Sequence, residues 1–314
     1  MLARFQRMAL LGTLLGVLLW AWLWRDASPW MTWAAALTVV ATLLGSLALE
    51  FLLLATVGRD AQQSAPAITS LLRAWLSESL HATRVFGWRQ PFASHAEPDS
   101  PSDVTNATRA HTRTRGVLLI HGYLCNRGFW NPWMRALRAQ QTPFTAVSLE
   151  PVLGSIDHHV QQIEAAVQTL ERATGCAPLI VCHSMGGLVA RAWLRAIPDA
   201  AERCAGLVTI ASPHAGTWLA HWSNTPNGRQ MRLRSEWLLT LAQDLARPTM
   251  QSLLQRTVCW YSDCDNIVFP VRTATLAGAD NRFVPGCAHI ALAFDPRVMR
   301  ETLALIEATA LKPA

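Results

Sequence analysis

Apolar residues crowd the N-terminal part of the chain and thin out afterwards. Residues 8–24, MALLGTLLGVLLWAWLW, carry no charge, and residues 31–57 carry one, Glu50. A membrane-crossing helix needs roughly 17–25 apolar residues, so both runs are predicted as spans. The short connector RDASP between them predicts a helical hairpin. A cleaved leader is the rival, but a second long apolar run follows the first. Next, residues 67–86 place Ile68, Leu71, Leu72, Trp75, Leu76 and Leu80 at helical spacing. Such a helix either lies on a membrane surface or packs on the domain that follows. Residues 93–115, rich in Ser, Asp, Pro, Thr and Arg, read as a polar linker. The NAT triplet at 106–108 is too short a match to carry weight.

From residue 116 the pattern changes to short apolar runs alternating with amphipathic ones. GVLLIHG, FTAVSLEP, APLIVCHS, AGLVTIAS and RTVCWYS read as strands. Helices are predicted over Phe129–Gln140, over the stretch from an N-cap at Ser155 to a stop at Gly175, over MGGLVARAWLRAIP, and after an N-cap at Asp295 with Pro296 in the first turn. Such alternation predicts an α/β fold, a mainly parallel sheet with helices on both faces. The expected organisation is a transmembrane hairpin at 1–58, an amphipathic helix and linker at 59–115, and a catalytic domain at 116–314.

Composition sharpens the membrane expectation. Hydrophobic residues make up 51% and charged residues 15% of the chain. Five of the fourteen Trp lie between Trp20 and Trp33. Trp favours the lipid–water boundary, so the connector is predicted at one face and both outer ends at the other. Arg4 and Arg7 precede the first span, Arg59 and Arg73 follow the second, and Arg25 in the connector is offset by Asp26. Positive charge favours the cytoplasmic side, which places both termini and the large domain there. The net charge of +6 is spread along the chain, which suits an anionic lipid surface and not nucleic acid. Seven scattered Cys fit free thiols, although Cys259 and Cys264 are close enough to bridge a loop in an oxidising compartment. No metal-ligand spacing and no phosphate-binding glycine loop occurs, so no cofactor is expected.

The chemistry is concentrated in LIVCHSMGG, residues 179–187. A serine at a strand-to-helix break sits in a strained turn that projects its hydroxyl from the sheet, which makes Ser184 the candidate nucleophile. Positions two before and two after must be small, because strand and helix backbones nearly touch. Gly186 meets that demand, and Cys182 stands where the common pattern has Gly.

In these residues the chain resembles the α/β-hydrolase superfamily, and within it bacterial lipases and esterases, including relatives similar to the GPI-inositol deacylase. HSMGG is shared with many lipases, His121-Gly122-Tyr123 after a strand resembles their oxyanion loop, and TIASPHAGT (209–217) resembles their TPHxGS segment. The similarity spans roughly 116–310. It implies a triad in the chain order Ser, acid, His. PGCAHIAL resembles the family's G-x-x-H segment and makes His289 the base. His214 and His221 come too early, and His183 should point away from Ser184. The lipase pattern D-x-x-V-x-P falls on Asp265 through Pro270 and makes Asp265 the acid, with Asp263 next and Asp280 a distant third. Oxyanion donors are then the backbone N–H groups of Met185 and Tyr123, with His121 and Gly122 supporting the loop.

Residues 218–256 fall between the sixth and seventh strands of that fold, where it inserts a lid. Trp218, Trp222, Trp237, Leu238, Leu241 and Leu245 would line an acyl pocket there, or belong to helices packed on the domain. The resemblance implies a serine hydrolase that cleaves carboxylic esters, with lipid or acyl esters as substrates given the spans. A bacterial inner membrane is the expected location. An acyltransferase with the same triad and an inactive tethered scaffold are the alternatives. Oligomeric state leaves no signal. No candidate site residue lies in residues 1–60, so the site is expected to be independent of the anchor.

Overall fold

The computed structural model describes residues 1–58, 66–101 and 115–308. Arg59, the NAT triplet and most of the expected linker lie outside the described residues. Strands β1 (Val117–Ile120), β2 (Phe144–Ala146), β3 (Leu179–His183), β4 (Gly206–Ile210), β5 (Thr257–Tyr261) and β6 (Asp280–Phe283) form one sheet in the order β2-β1-β3-β4-β5-β6. Every neighbouring pair is parallel. The central strands are buried on both faces, as helix-covered parallel strands must be.

Four helices supply the cover: α4 (Asn131–Ala139), α5 (Val160–Thr174), α6 (Met185–Ala196) and α9 (Pro296–Ala308). One core joins Leu118, Ile180 and Cys182 to Ile163, Val167, Leu188 and Val189 of α5 and α6. The other joins Val117, Leu119 and Val181 to Trp133 and Leu137 of α4 and Val298 and Ile306 of α9. The helix ends follow local chemistry. Gly175 closes α5 at φ +68, in the left-handed region that favours Gly. Asp295 caps α9: its carboxylate accepts from Arg297 N at 2.8 Å and Val298 N at 3.2 Å.

Two features depart from expectation. Strand β6, sequence DNRF, was absent from the expected set because it is a polar edge strand without an apolar run. The insertion at 218–256 lies between β4 and β5 of this six-stranded sheet. Its helices α7 (Glu236–Gln243) and α8 (Pro248–Leu254) bury Leu238, Leu241, Met250 and Leu253 in the main core. Trp222 is exposed, Trp218 stacks on Phe269, and Trp237 Nε1 donates to Asp157 at 2.9 Å. Trp237 and Leu245 pack against the same core as Leu238 and Leu241, while Trp218 and Trp222 meet each other.

The N-terminal helices are α1 (Leu2–Leu23) and α2 (Pro29–Val57), both long and apolar enough to cross a membrane. They pair at the connector, where Trp20 Nε1 donates to Met31 O at 2.7 Å and Thr32 Oγ1 to Trp24 O at 3.2 Å. No α1 residue is buried, whereas Phe51 and Leu54 near the end of α2 are buried against the sheet-bearing body. Helix α3 (Ile68–Arg84) has two unlike faces. Ala74 and Glu78 are buried, and Trp75 Nε1 donates to Leu44 O at 3.1 Å. Ile68, Leu72, Leu76 and Leu80, one turn apart, are exposed.

Residues ahead of the expected boundary at 116 make contacts with the body that follows. Ser100 exchanges backbone hydrogen bonds with Phe144 of β2 at 3.0 and 2.7 Å, and Asp99 pairs with Arg127. A side chain on Gly128 would meet the Arg89 carbonyl oxygen at 2.5 Å, so residues 89–101 are packed into the body.

Candidate active site

Strand β3 runs straight into Ser184, which adopts φ 55 and ψ −129 before α6 begins. Positive φ in a residue with a Cβ is strained, and here the turn lifts the hydroxyl off the sheet edge. The turn exists because Gly186 has no side chain: a Cβ there would sit 2.4 Å from the Ile120 carbonyl oxygen and 2.8 Å from that of His121. Cys182 is wholly buried beside Ile120 and Thr209 on the neighbouring strands, and burial pushes its thiol pKa well up. A protonated buried thiol is a poor nucleophile.

These contacts give a graded expectation. Gly186→Ala should lose folded enzyme, because both opposing atoms are backbone. Cys182→Gly should remain folded with turnover, while Cys182→Leu overpacks the core at a cost of about 1–3 kcal/mol. Thermal melts with ester assays check the order; a Gly186→Ala protein as stable as the parent would refute the close-packed turn.

The loop after β1 lies against Ser184. A Cβ on Gly122 would come within 2.7 Å of Ser184 Cβ. His121 locks this loop: its Nε2 accepts from Leu149 N at 3.0 Å, which leaves Nδ1 to donate to Gly122 O at 2.9 Å. Burial holds the ring neutral, with its pKa lowered to about 4. Among the described residues, no acceptor takes the backbone N–H of Tyr123 or Met185. Met185 N also lies at the start of α6, where the helix dipole favours an anion.

His289 opens the turn His289–Leu292. Its Nδ1 donates to Asp265, at 2.9 Å to Oδ1 and 3.1 Å to Oδ2. Asp265 Oδ1 is held in turn by the backbone N–H groups of Ile267 and Val268 at 2.9 and 2.8 Å. Asp263 faces elsewhere, accepting from Gly286 N at 2.7 Å, and Asp280 is exposed beside Arg282. Burial alone would lower the His289 pKa, but Asp265, followed by Glu78 and Glu50, raises it overall. No hydrogen bond joins Ser184 to His289 among the described residues; such contacts often tighten only when substrate binds.

Other histidines have structural partners. His214 Nε2 meets Thr209 Oγ1 of β4 at 3.0 Å, and both residues are buried. His183 stacks on Phe129 and reaches His289, its Nε2 donating to His289 O at 3.1 Å. Sequence reasoning passed over three further residues: Asn266 and Glu78 meet the His289 turn, and Glu50 reaches it through Asn266. Glu50 left a trace in sequence, as the one charge in its apolar run. All seven Cys are free, Cys259 and Cys264 included.

Comparison with known proteins adds a family. The alpha/beta hydrolase family profile matches residues 117–304. No curated protein matches the chain in sequence. Among solved structures, mature Bacillus licheniformis lipase BlEst2 aligns with a TM-score of 0.54 at 13% identity, covering 63% of this chain and 93% of that one. Aspergillus fumigatus lipase B aligns with a TM-score of 0.47 at 14% identity, covering 77% and 73%. At these identities the first likeness speaks to fold alone.

Proposed function

Because the chain belongs to the alpha/beta hydrolase family, we propose that it is a membrane-seated carboxylic ester hydrolase acting on lipid or acyl esters. The observation that carries this reading is Asp265 against His289 Nδ1 at 2.9 Å, together with a serine at φ 55 in a strand-to-helix turn. With Nδ1 engaged, Nε2 of His289 is the nitrogen that takes the Ser184 proton as Oγ attacks the ester carbonyl. The oxyanion is held by the N–H groups of Tyr123 and Met185. The protonated imidazole then gives its proton to the departing alcohol, and water, deprotonated by the same nitrogen, releases the acid and Ser184.

The membrane part of the reading rests on the N-terminal helices. Only residues 29–43 of α2 precede its contact with Trp75 at Leu44. Those residues extend about 23 Å at the helical rise, short of a hydrocarbon core of roughly 30 Å. A crossing hairpin therefore draws α3 to the lipid, and α3 meets it with the exposed stripe Ile68, Leu72, Leu76 and Leu80. Fully buried, each such side chain is worth about 1.5–3 kcal/mol, a gain that nothing else described here claims. Arg4 and Arg7 then favour a cytoplasmic catalytic body on a bacterial inner membrane.

Two assays test this. Full-length protein in detergent should hydrolyse a series of short and long acyl esters; absence of ester turnover together with absence of labelling by a fluorophosphonate ends the hydrolase reading. The double variant Leu72→Asp with Leu76→Asp should keep turnover of a short soluble ester and lose at least about tenfold on ester embedded in vesicles, given the burial energy at stake. Equal losses on both substrates would refute the lipid-facing stripe.

A further inference from the structure

We propose that Glu78 of α3 and Glu50 of α2 are positioning residues for His289, so that the N-terminal helices complete the catalytic machinery. This inference rests on His289 as the base in the reaction above. It also reverses the expectation that the site is independent of residues 1–60.

The backbone around His289 is held at successive atoms. His289 N donates to Asn266 Oδ1 at 3.2 Å, and Asn266 Nδ2 donates to Glu50 Oε2 at 2.6 Å. Ile290 N donates to both Glu78 oxygens at 2.9 and 3.1 Å, and Ala291 N to Glu78 Oε2 at 3.0 Å. The His289 carbonyl accepts from His183. The turn His289–Leu292 is too short to satisfy its own leading N–H groups, so Glu78 acts as its cap. Both carboxylates come from outside the stretch that matches the hydrolase family, residues 117–304. Around them Phe51, Leu54, Ala74, Phe269, Ala288 and Ala291 form one apolar cluster. A helix of the hairpin, the helix after it and the histidine loop thus share a single core.

A carboxylate is a costly choice for a merely structural cap. Glu78 is fully buried, and burial pushes its pKa up to about 7 against the opposing pull of the Ile290 and Ala291 N–H groups. The charged or titratable groups that face it are His289, Asp265 and the Cys287 thiol. Its charge does what a neutral cap would not: with Asp265 and Glu50 it favours protonated His289, the form that appears when the serine proton arrives. The sign follows. Removing the Glu78 charge lowers the His289 pKa and also removes a group that protonates near pH 7. Both effects move the acid limb of kcat/KM to lower pH.

The test uses full-length protein in detergent and a short soluble ester. Glu78→Gln removes the charge and turns one acceptor oxygen into an NH₂ group; with the remaining oxygen on Ile290 N and Ala291 N, that NH₂ opposes the Ile290 N–H that Oε1 now accepts. It should lose on the order of 10- to 100-fold in kcat, the scale of a 1 Å misplacement, with KM little changed. Its acid limb should shift to lower pH. Glu50→Leu should lose kcat in the same way, and Glu50→Gln should recover most of it, since the amide oxygen still accepts from Asn266. NMR titration of the His289 ring reads the electrostatic coupling without substrate and should show a lowered pKa in Glu78→Gln. Unchanged His289 titration with parental kinetics in Glu78→Gln overturns the proposal. If that variant does not fold, the Glu50 pair decides: Glu50→Leu with parental kcat overturns it equally. The predicted titration shift in Glu78→Gln, found together with no ester turnover by the wild-type protein, refutes the hydrolase assignment and leaves the coupling standing.

Discussion

Ser184→Ala is expected to abolish labelling by a fluorophosphonate and to remove essentially all ester turnover. Loss of a nucleophilic serine costs on the order of 10⁶ in kcat in the serine-protease precedent. The substitution deletes one oxygen and leaves the turn as it was. Ala keeps the Cβ that sits against Gly122, and the Ser184 N–H still donates to the Ile210 carbonyl at 2.9 Å. The melting temperature should therefore stay within a few degrees of the parent. That separation matters, because a destabilised protein would lose activity for unrelated reasons. Intact labelling at the same site in the variant would refute Ser184 as the nucleophile. A dead Cys182→Ala protein beside an active Ser184→Ala protein would point to the neighbouring thiol, against its burial and raised pKa.

The parts of this site that sequence made legible are those whose neighbours are close in the chain. The elbow is a local event: an apolar strand, a serine, and a glycine two residues later whose absent side chain lets the helix pass Ile120. Strands β1, β3, β4 and β5 announced themselves by apolar runs because both their faces are covered. Strand β6 did not, since an edge strand with exposed side chains has no reason to be apolar. Leu238 and Leu241 show the limit of periodicity. Their spacing suits a pocket wall and a core equally, and only packing places them in the core.

Long-range partners were illegible for a different reason. Glu78 and Ile290 are separated by 212 positions, and Glu50 and Asn266 by 216. Nothing in the spacing of either pair encodes the meeting. Glu50 appeared as a lone charge in a span, and Glu78 as a polar residue on an amphipathic helix. Each is explained by a backbone donor or amide that arrives from the far end of the chain. An apolar hairpin invites description as a tether because its sequence advertises only its apolar side. The surface that α2 and α3 together turn to the histidine loop combines Glu50 and Glu78 with Phe51, Leu54 and Ala74, which carry no recognisable pattern.

Asp265→Asn tests the acid of the triad and discriminates it from its neighbour. The Asp265 carboxylate has two duties: Oδ1 accepts from Ile267 N and Val268 N, and both oxygens accept from His289 Nδ1. An asparagine must keep its one oxygen on the two turn amides to preserve the loop. Its NH₂ group then faces His289 Nδ1 and can only donate. The ring responds by carrying its proton on Nε2, the nitrogen that has to receive the serine proton, and the imidazolium loses its counter-charge. Turnover should fall by about 10⁴, as in the serine-protease precedent, while folding is retained. Asp263→Asn is the matched control. Its Oδ1 accepts from Gly286 N, and an amide oxygen serves equally well, so kcat should change by no more than a few-fold in the range expected of an intact hydrogen bond. Ester kinetics on the two variants, with melts to verify the fold, decide between the carboxylates. A crippled Asp263→Asn enzyme beside an active Asp265→Asn enzyme would transfer the role to Asp263 and require a histidine loop rotated away from the 2.9 Å contact seen here.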